Sequence, residues 1–544
     1  MKTKNVLPTD YQQTEKPSFA VRGMHLNGWA FGYPYTFRCW KEADWKRYID
    51  LLSCQGVNLF FIWPFMEIMP VPLSAEDESY LREVRRVVDY ARDKRGMEVW
   101  IFQSANRVAL NDCGVRNPRL RPYWVLKAQG EYPGAGQVDL NPADPKQFAR
   151  IMKSREALYR RVDNADGYCT IDSDPGGWDG SPFSDYLKIF KASRVLIDRY
   201  AALGGRAKLI NWLWFGWSRC WAQQRVWWQP GADQRPLCEA VAESIRGMKK
   251  ELPEPWWLIT GLREYLPACA AEGVLGKTVY LPYGMIEGEP ARPDSQIDFP
   301  RQREYLDEAG RYPGLAGLMG NVQTPLLQFP HVNHFLNTVR DYEYRKRTPR
   351  EFLYDLAVYI YPEHADLLVD CWMALAPGGR AHAGNLARRL ERLIEKNRLG
   401  RPGVLGRKLF PSQRQIVEDL VIQLKLWAAF ENLRQKTTRR GKRDHCAGAV
   451  EAFLDAALMW DCRHGWSAYW KKLGNPWTLW PTHDPAYPAV VLGLRKALGG
   501  VAINETVVAV FLAPIGGRLA RRYDPWIVAQ CALVPLHQAI MDAK

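Results

Sequence analysis

The chain has 544 residues, 47% of them apolar, with 23 Trp and 25 Tyr. That is more than one ordinary core needs, so two or more domains are expected, and the lack of any run of about 18 apolar residues argues against a helical membrane span. Eleven Cys lie scattered without CxxC pairs, which fits reduced, individually buried thiols better than a disulfide scaffold or a zinc site. The net charge of +15 is uneven: Lys and Arg outnumber Asp and Glu by 29 to 18 from residue 346 onward, but only by 45 to 41 before it.

Residues 1–18 read as an N-terminal extension. Met1–Asp10 is basic but has no apolar stretch, so no secretory signal is visible. A cytoplasmic, reduced setting is expected, or a secreted or periplasmic one if a leader has been removed.

From residue 19, short β-branched or aromatic runs alternate with segments of helical period, the pattern of parallel βα units. The strand candidates are Phe19–Leu26, Val57–Pro64, Met97–Gln103, Gly167–Asp172, Ala207–Trp214, Trp256–Gly261, Thr278–Pro282 and Leu315–Met319. Between them fall helices near Glu42–Gln55, Asp77–Arg95, Pro145–Val162, Ser184–Leu203, Arg235–Leu252 and Arg301–Ala309. Eight such units predict an α/β fold, a (β/α)8 TIM barrel over residues 19–345. The Gly-rich nucleotide loop that an open doubly wound sheet would want is missing.

From 346 to 544 a mainly α-helical C-terminal domain is expected. Its helices are Glu351–Tyr361, Ala365–Leu375, Ala383–Lys396, Ser412–Gln435 and Ala447–Met459. Arg434–Arg443 reads as a solvated basic loop, with nucleic-acid binding the weaker alternative. Gly474–Tyr487 and Val501–Pro514 match no regular element.

In such barrels the chemistry sits at the C-terminal strand ends. There the sequence offers Arg22 and His25, then Gln103 and Asn106, then Asp172 and Asp174. Later strands add Asn211 and Trp214, Glu264, then Tyr280, Tyr283, Glu287 and Glu289, and finally Asn321 and Gln323. This mouth is rich in carboxylates and aromatics. It has no Ser-His-Asp ordering and no HExxH, so a hydrolytic metal site is disfavoured. His331 and His334 would share a helix face, a spacing that more often reflects packing than a metal.

The most informative stretch is Gly167-Tyr-Cys-Thr-Ile-Asp172-Ser-Asp174-Pro-Gly-Gly-Trp178. In extended chain Asp172 and Asp174 share a face, about 6.5 Å apart at the backbone. Two carboxylates that close do not both ionise cheaply, so one is held protonated, giving an acid and a base from one residue type. The competing reading is a turn whose aspartates bond local amides.

The same segment resembles the fourth-strand Asp-Ser-Glu motif of the α-glucuronidases that trim xylan, with Asp174 at the position of that family's general acid. Val138-Asp-Leu-Asn-Pro-Ala-Asp144-Pro is similar to the run before that family's third helix, and Arg22-Gly23 resembles an Arg-Gly of related barrels in which the arginine grips a terminal sugar. The Asp-x-acid arrangement is also similar to that of chitinases and β-hexosaminidases. There the second carboxylate protonates the leaving oxygen and the first, here Asp172, orients a substrate acetamido group. The uronidase resemblance implies a remote base, for which Glu264 and Glu287 are the candidates. An Asp at 174, where these families have Glu, is one methylene shorter; the acid is then closer to the sugar, or is Glu264, Glu287 or Glu289.

These features predict an exo-acting glycoside hydrolase that removes terminal amino sugars or uronic acids from oligosaccharides without a cofactor or metal. Arg22, His25, Asn106 and Asn321 would orient the ring, and Trp178, Trp214, Tyr280 and Tyr283 would line it. A non-catalytic carbohydrate-binding barrel is the first alternative and a basic nucleic-acid-associated protein the second. Neither nucleic acid nor membrane is the expected partner, and self-association through the basic helical part is left open.

Overall fold

A computed structural model describes residues 18–26, 40–109, 137–173, 176–214, 216–217, 235–282, 299–322, 329–376, 379–403 and 412–438, with positions 233, 448–449, 452 and 456. The strands, in chain order, are β1 Val21–Leu26, β2 Leu59–Ile62, β3 Glu98–Ser104, β4 Arg107–Ala109, β5 Gln137–Asp139, β6 Gly167–Ile171, β7 Lys208–Leu213, β8 Trp256–Thr260, β9 Thr278–Tyr280 and β10 Gly317–Val322. Eight of them close a parallel barrel in the order β1-β10-β9-β8-β7-β6-β3-β2. The remaining two, β4 and β5, pair antiparallel as a small hairpin beside it.

The barrel strands are covered on both faces, so they read as continuous apolar runs such as Leu59-Phe-Phe-Ile, buried throughout. Closure comes from β1 on β10, in register from Val21 opposite Gly317 to Leu26 opposite Val322.

The helices of this part are α1 Glu42–Cys54, α2 Ala75–Asp89, α3 Pro145–Tyr159, α4 Phe183–Tyr200, α5 Arg235–Glu251, α6 Leu266–Ala271, α7 Phe299–Ala309 and α8 Phe329–Arg340. Their starts are chemically marked. Ser74 accepts the Asp77 amide at 3.1 Å ahead of α2. Asp144 accepts the amides of Lys146 and Gln147 ahead of α3, whose first residue is Pro145. Asp144 thus serves as a helix cap.

Beyond the barrel come α9 Pro349–Ile360, α10 Ala365–Leu375, α11 Ala383–Glu395 and α12 Gln413–Thr438. Thr348 and Glu351 form a capping box at the start of α9. These helices share a second apolar cluster, including Phe352, Leu368, Trp372, Leu390, Leu424 and Trp427. One expectation is corrected here: Arg434–Thr438 belong to the last turns of α12, because the helix continues past Gln435. The rest of that basic run, most of Ala447–Met459, and the segments Gly474–Tyr487 and Val501–Pro514 lie outside the described residues.

Candidate active site

Strand alternation sorts the residues at the C-terminal end of the barrel. The Trp212 ring on β7 lies 5.5 Å from that of His25, 5.9 Å from Phe61 and 5.4 Å from Phe102, on strands across the barrel, so all four point into the lumen. Asn321 pairs with His25 across the β10–β1 seam and shares its inward face.

His25 is fully buried, and its Nδ1 lies 3.3 Å from the Phe61 carbonyl. A carbonyl only accepts, so Nδ1 carries the hydrogen and Nε2 presents a lone pair. Desolvation pushes the imidazole pKa down to about 3, against the pull of the Phe61 bond, and the ring is neutral. His25 Nε2, Trp212 Nε1 and both amide atoms of Asn321 are buried with no hydrogen-bond partner among the described residues. The lumen therefore offers one acceptor, one donor and one amide that can do either, all uncharged.

Trp214, after β7, completes this wall. Its indole occupies the space a Cβ at Gly261 would fill, 2.3 Å from the ring, so the residue after β8 has no side chain.

Asp172 follows β6. Ile171 is in register with inward Trp212, whereas the hydroxyl of Thr170 is bonded by Arg155 of α3 at 3.0 Å; Asp172 continues the Thr170 side of the alternation. Its Oδ1 accepts from Ser173 Oγ and from the Trp214 amide, both at 3.0 Å. Burial pushes this carboxyl up to about 7, against bonds from Ser173, Trp214 and Gly216 that favour the ionised form. The carboxyl expected to stand in the mouth is thus tied to the backbone of the loop after β7. Asp174, Tyr283 and Glu287 lie outside the described residues.

Asn106, expected to orient a sugar, clamps two loops instead. Its Nδ2 donates to the carbonyls of Leu140 and Gly177, each at 2.9 Å, and its Oδ1 accepts the Gly177 amide at 2.8 Å. Gly176 runs through at φ +117°, where a Cβ would come within 2.7 Å of Asn106 Oδ1. Trp178 is half-buried beside this clamp, its amide bonded to the Trp217 carbonyl at 3.1 Å.

Glu264, Tyr280 and Arg22 take different places. Glu264 sits in the turn Arg263–Tyr265 after β8, 3.4 Å from the guanidinium of Arg263. Tyr280 neighbours Val279, which is in register with Ile259 and hence with inward Trp212. The phenol therefore faces the helix layer, and its hydroxyl is buried without a partner among the described residues. Arg22 is corrected outright. It is the second residue of β1, at the opposite end from the mouth, because the strand runs on to Leu26. His331 and His334 are buried on α8, His334 Nδ1 lying 2.9 Å from Gln302 Oε1.

Glu67, in the turn Met66–Ile68 after β2, is not among the residues that strand-end polarity singles out. Its carboxylate accepts from the Trp63 indole at 2.9 Å and from the Ser104 amide at 2.6 Å, and it is almost completely buried. Desolvation raises its pKa above the ordinary carboxylate value. Phe65 adopts φ 63°, ψ 53°, costly for a non-glycine residue, and its ring stacks on Trp63 at 3.9 Å. The signal was present as Trp63-Pro-Phe-Met-Glu67 directly after an apolar run.

No family model and no curated protein matches the chain. Among solved structures it is similar to a GH138 enzyme targeting pectin rhamnogalacturonan II, at 10% identity over 89% of this chain and 84% of that one, with a TM-score of 0.45. It is also similar to a GH84 protein, at 11% identity over 82% and 70%, TM-score 0.40. A third likeness is to the GH20 exo-β-N-acetylglucosaminidase of Vibrio harveyi, at 14% identity over 65% and 58%, TM-score 0.40. These structural neighbours are glycoside hydrolases. At such identities and TM-scores they assign neither a substrate nor a residue role to this chain.

Proposed function

We propose that the protein is a glycoside hydrolase acting on terminal sugars of an oligosaccharide by carboxylate acid and base catalysis. The observation that carries this reading is the lumen end: uncharged buried donors and acceptors without described partners, set among Trp and Phe rings. Sugar hydroxyls both donate and accept, and sugar C–H faces lie well on indoles.

In this reading Asp174 is the general acid, two residues beyond a carboxyl that burial keeps partly protonated near neutral pH. Asp172 orients the loop that carries it. Glu287 or Glu264 supplies the second carboxylate, and Glu67 is a further candidate from the second strand. An exo mode and an amino sugar or uronic acid substrate are part of the proposal. The engagement of Asp172 with backbone amides favours one second reading, a barrel that binds sugars without cleaving them.

Wild type and Asp174→Asn are to be tested on aryl glycosides that include uronic acids and N-acetylamino sugars. Release by wild type, reduced about 10²- to 10⁴-fold by the substitution with unchanged circular dichroism, is expected. Sugar binding without release from any glycoside would replace the hydrolase reading with the binding barrel.

A further inference from the structure

Part of the basic surplus of the C-terminal part lines one cavity. A cavity of about 510 Å³ is lined by Tyr354 of α9, by the turn entering α10, and by Arg389, Arg392, Lys396 and Arg398 at the end of α11. Spacings of three and four put the first three cations on one face of the helix.

None of these four cations makes an ion pair with a described carboxylate. Arg392 reaches only the Arg388 carbonyl of its own helix, at 3.2 Å. Neighbouring basic groups behave differently: Lys425 pairs with Glu391 and Arg350 with Asp370. The cavity wall also holds the start of α10, whose cap makes no side-chain hydrogen bond and whose first amide, that of Ala365, donates to the Pro362 carbonyl. His364 Nε2 donates to the Arg398 carbonyl at 2.8 Å and joins the two walls. Glu363 and Asp366 line the cavity as well, Glu363 facing the Arg401 amide at 3.4 Å. Four cations against two carboxylates leave a positive cavity. Tyr354, 45% exposed, supplies an aromatic face.

We propose that this cavity binds a carboxylate-bearing oligosaccharide, its carboxylates on the arginines and Lys396 and one ring face on Tyr354. The demand for an anion comes from the cavity alone, whereas the choice of a glycan rests on the hydrolase reading. Nucleic acid fits less well, since a phosphate backbone wants a continuous basic track and Glu363 and Asp366 interrupt this one.

The test is calorimetric binding of tetramannuronate to the full chain at about 50 mM salt, with cellotetraose and a thymidine decamer as comparisons. Wild type should bind tetramannuronate and not cellotetraose. R389Q/R392Q should weaken it about tenfold or more, and Tyr354→Ala a few-fold. Aryl glycoside release should be the same in all three proteins. No binding of tetramannuronate, equal binding of cellotetraose, or variants that bind like wild type would overturn the proposal, and tighter binding of the decamer would replace it with a nucleic-acid site. Tetramannuronate binding by a protein that releases no aryl glycoside would uphold the cavity while refuting the hydrolase.

Discussion

Arg22 and His25 stand three positions apart on β1 and meet opposite treatment. At the closed end of the barrel the Arg22 guanidinium is fully engaged, donating to the carbonyls of Gly56 at 2.7 Å, Phe19 at 2.9 Å and Ala20 at 3.1 Å. At the other end His25 Nε2, Trp212 Nε1 and the Asn321 amide are equally buried and have no described partner. Buried polar atoms are nearly always satisfied, because leaving one unpaired costs about 1–3 kcal/mol. On β1, therefore, one polar side chain builds stability at one end and another is left open in the lumen at the other, where a ligand is expected.

The largest expected difference between the ends is in pH dependence. Asp172 has its pKa raised to about 7 from an unfolded value of 3.8, so its contribution to stability is complete below about pH 4 and is lost as pH rises to about 7. Over that window the loss is up to about 4 kcal/mol. Urea unfolding at pH 4.5 and pH 8 should show it in wild type, and Asp172→Asn should flatten it. A slope unchanged in the variant would place the titration elsewhere.

Next in size, Arg22→Met strands three carbonyls at the closed end and should cost about 3 kcal/mol in urea unfolding, leaving the turnover of the folded fraction intact. Loss of turnover without loss of stability would reverse the comparison. Glu67→Gln, at the open end, removes a charge but keeps one acceptor for Trp63 or Ser104. A cost of about 1–2 kcal/mol and a changed tryptophan emission are expected. Smallest in stability is Asn321→Leu, near neutral or stabilising by about 1 kcal/mol, since both amide atoms lack described partners. Sugar binding should nevertheless fall about tenfold, the equivalent of one hydrogen bond near 1.4 kcal/mol. A destabilised Asn321→Leu with intact binding would mark the amide as structural.

The barrel was legible because strands such as Leu59-Phe-Phe-Ile are buried apolar runs between helical periods, and Trp256-Trp-Leu-Ile-Thr announces β8 to within one residue. The helices after residue 346 were legible from caps such as Thr348 with Glu351. Roles at the mouth were less so. Composition places Asn106 and Asp172 near a strand end, but only the paths of the loops after β5 and β7 decide that both bind backbone. Arg22 was misplaced although the expected strand, like the observed one, runs on to Leu26, which leaves residue 22 well before the C-terminal end. Glu67 was missed because it is apolar in setting and carboxylate in kind, so a pattern of polar clusters passes over it.

The Asn106 clamp on Gly177 has a consequence for how such a site can change. Two loops from non-adjacent parts of the sequence share one mechanical joint, and the segment with Asp174 lies only three residues before it. An insertion near residue 140 would act on Gly177 through Asn106, so selection or design has a handle on the loop after β6 that lies outside that loop's own sequence.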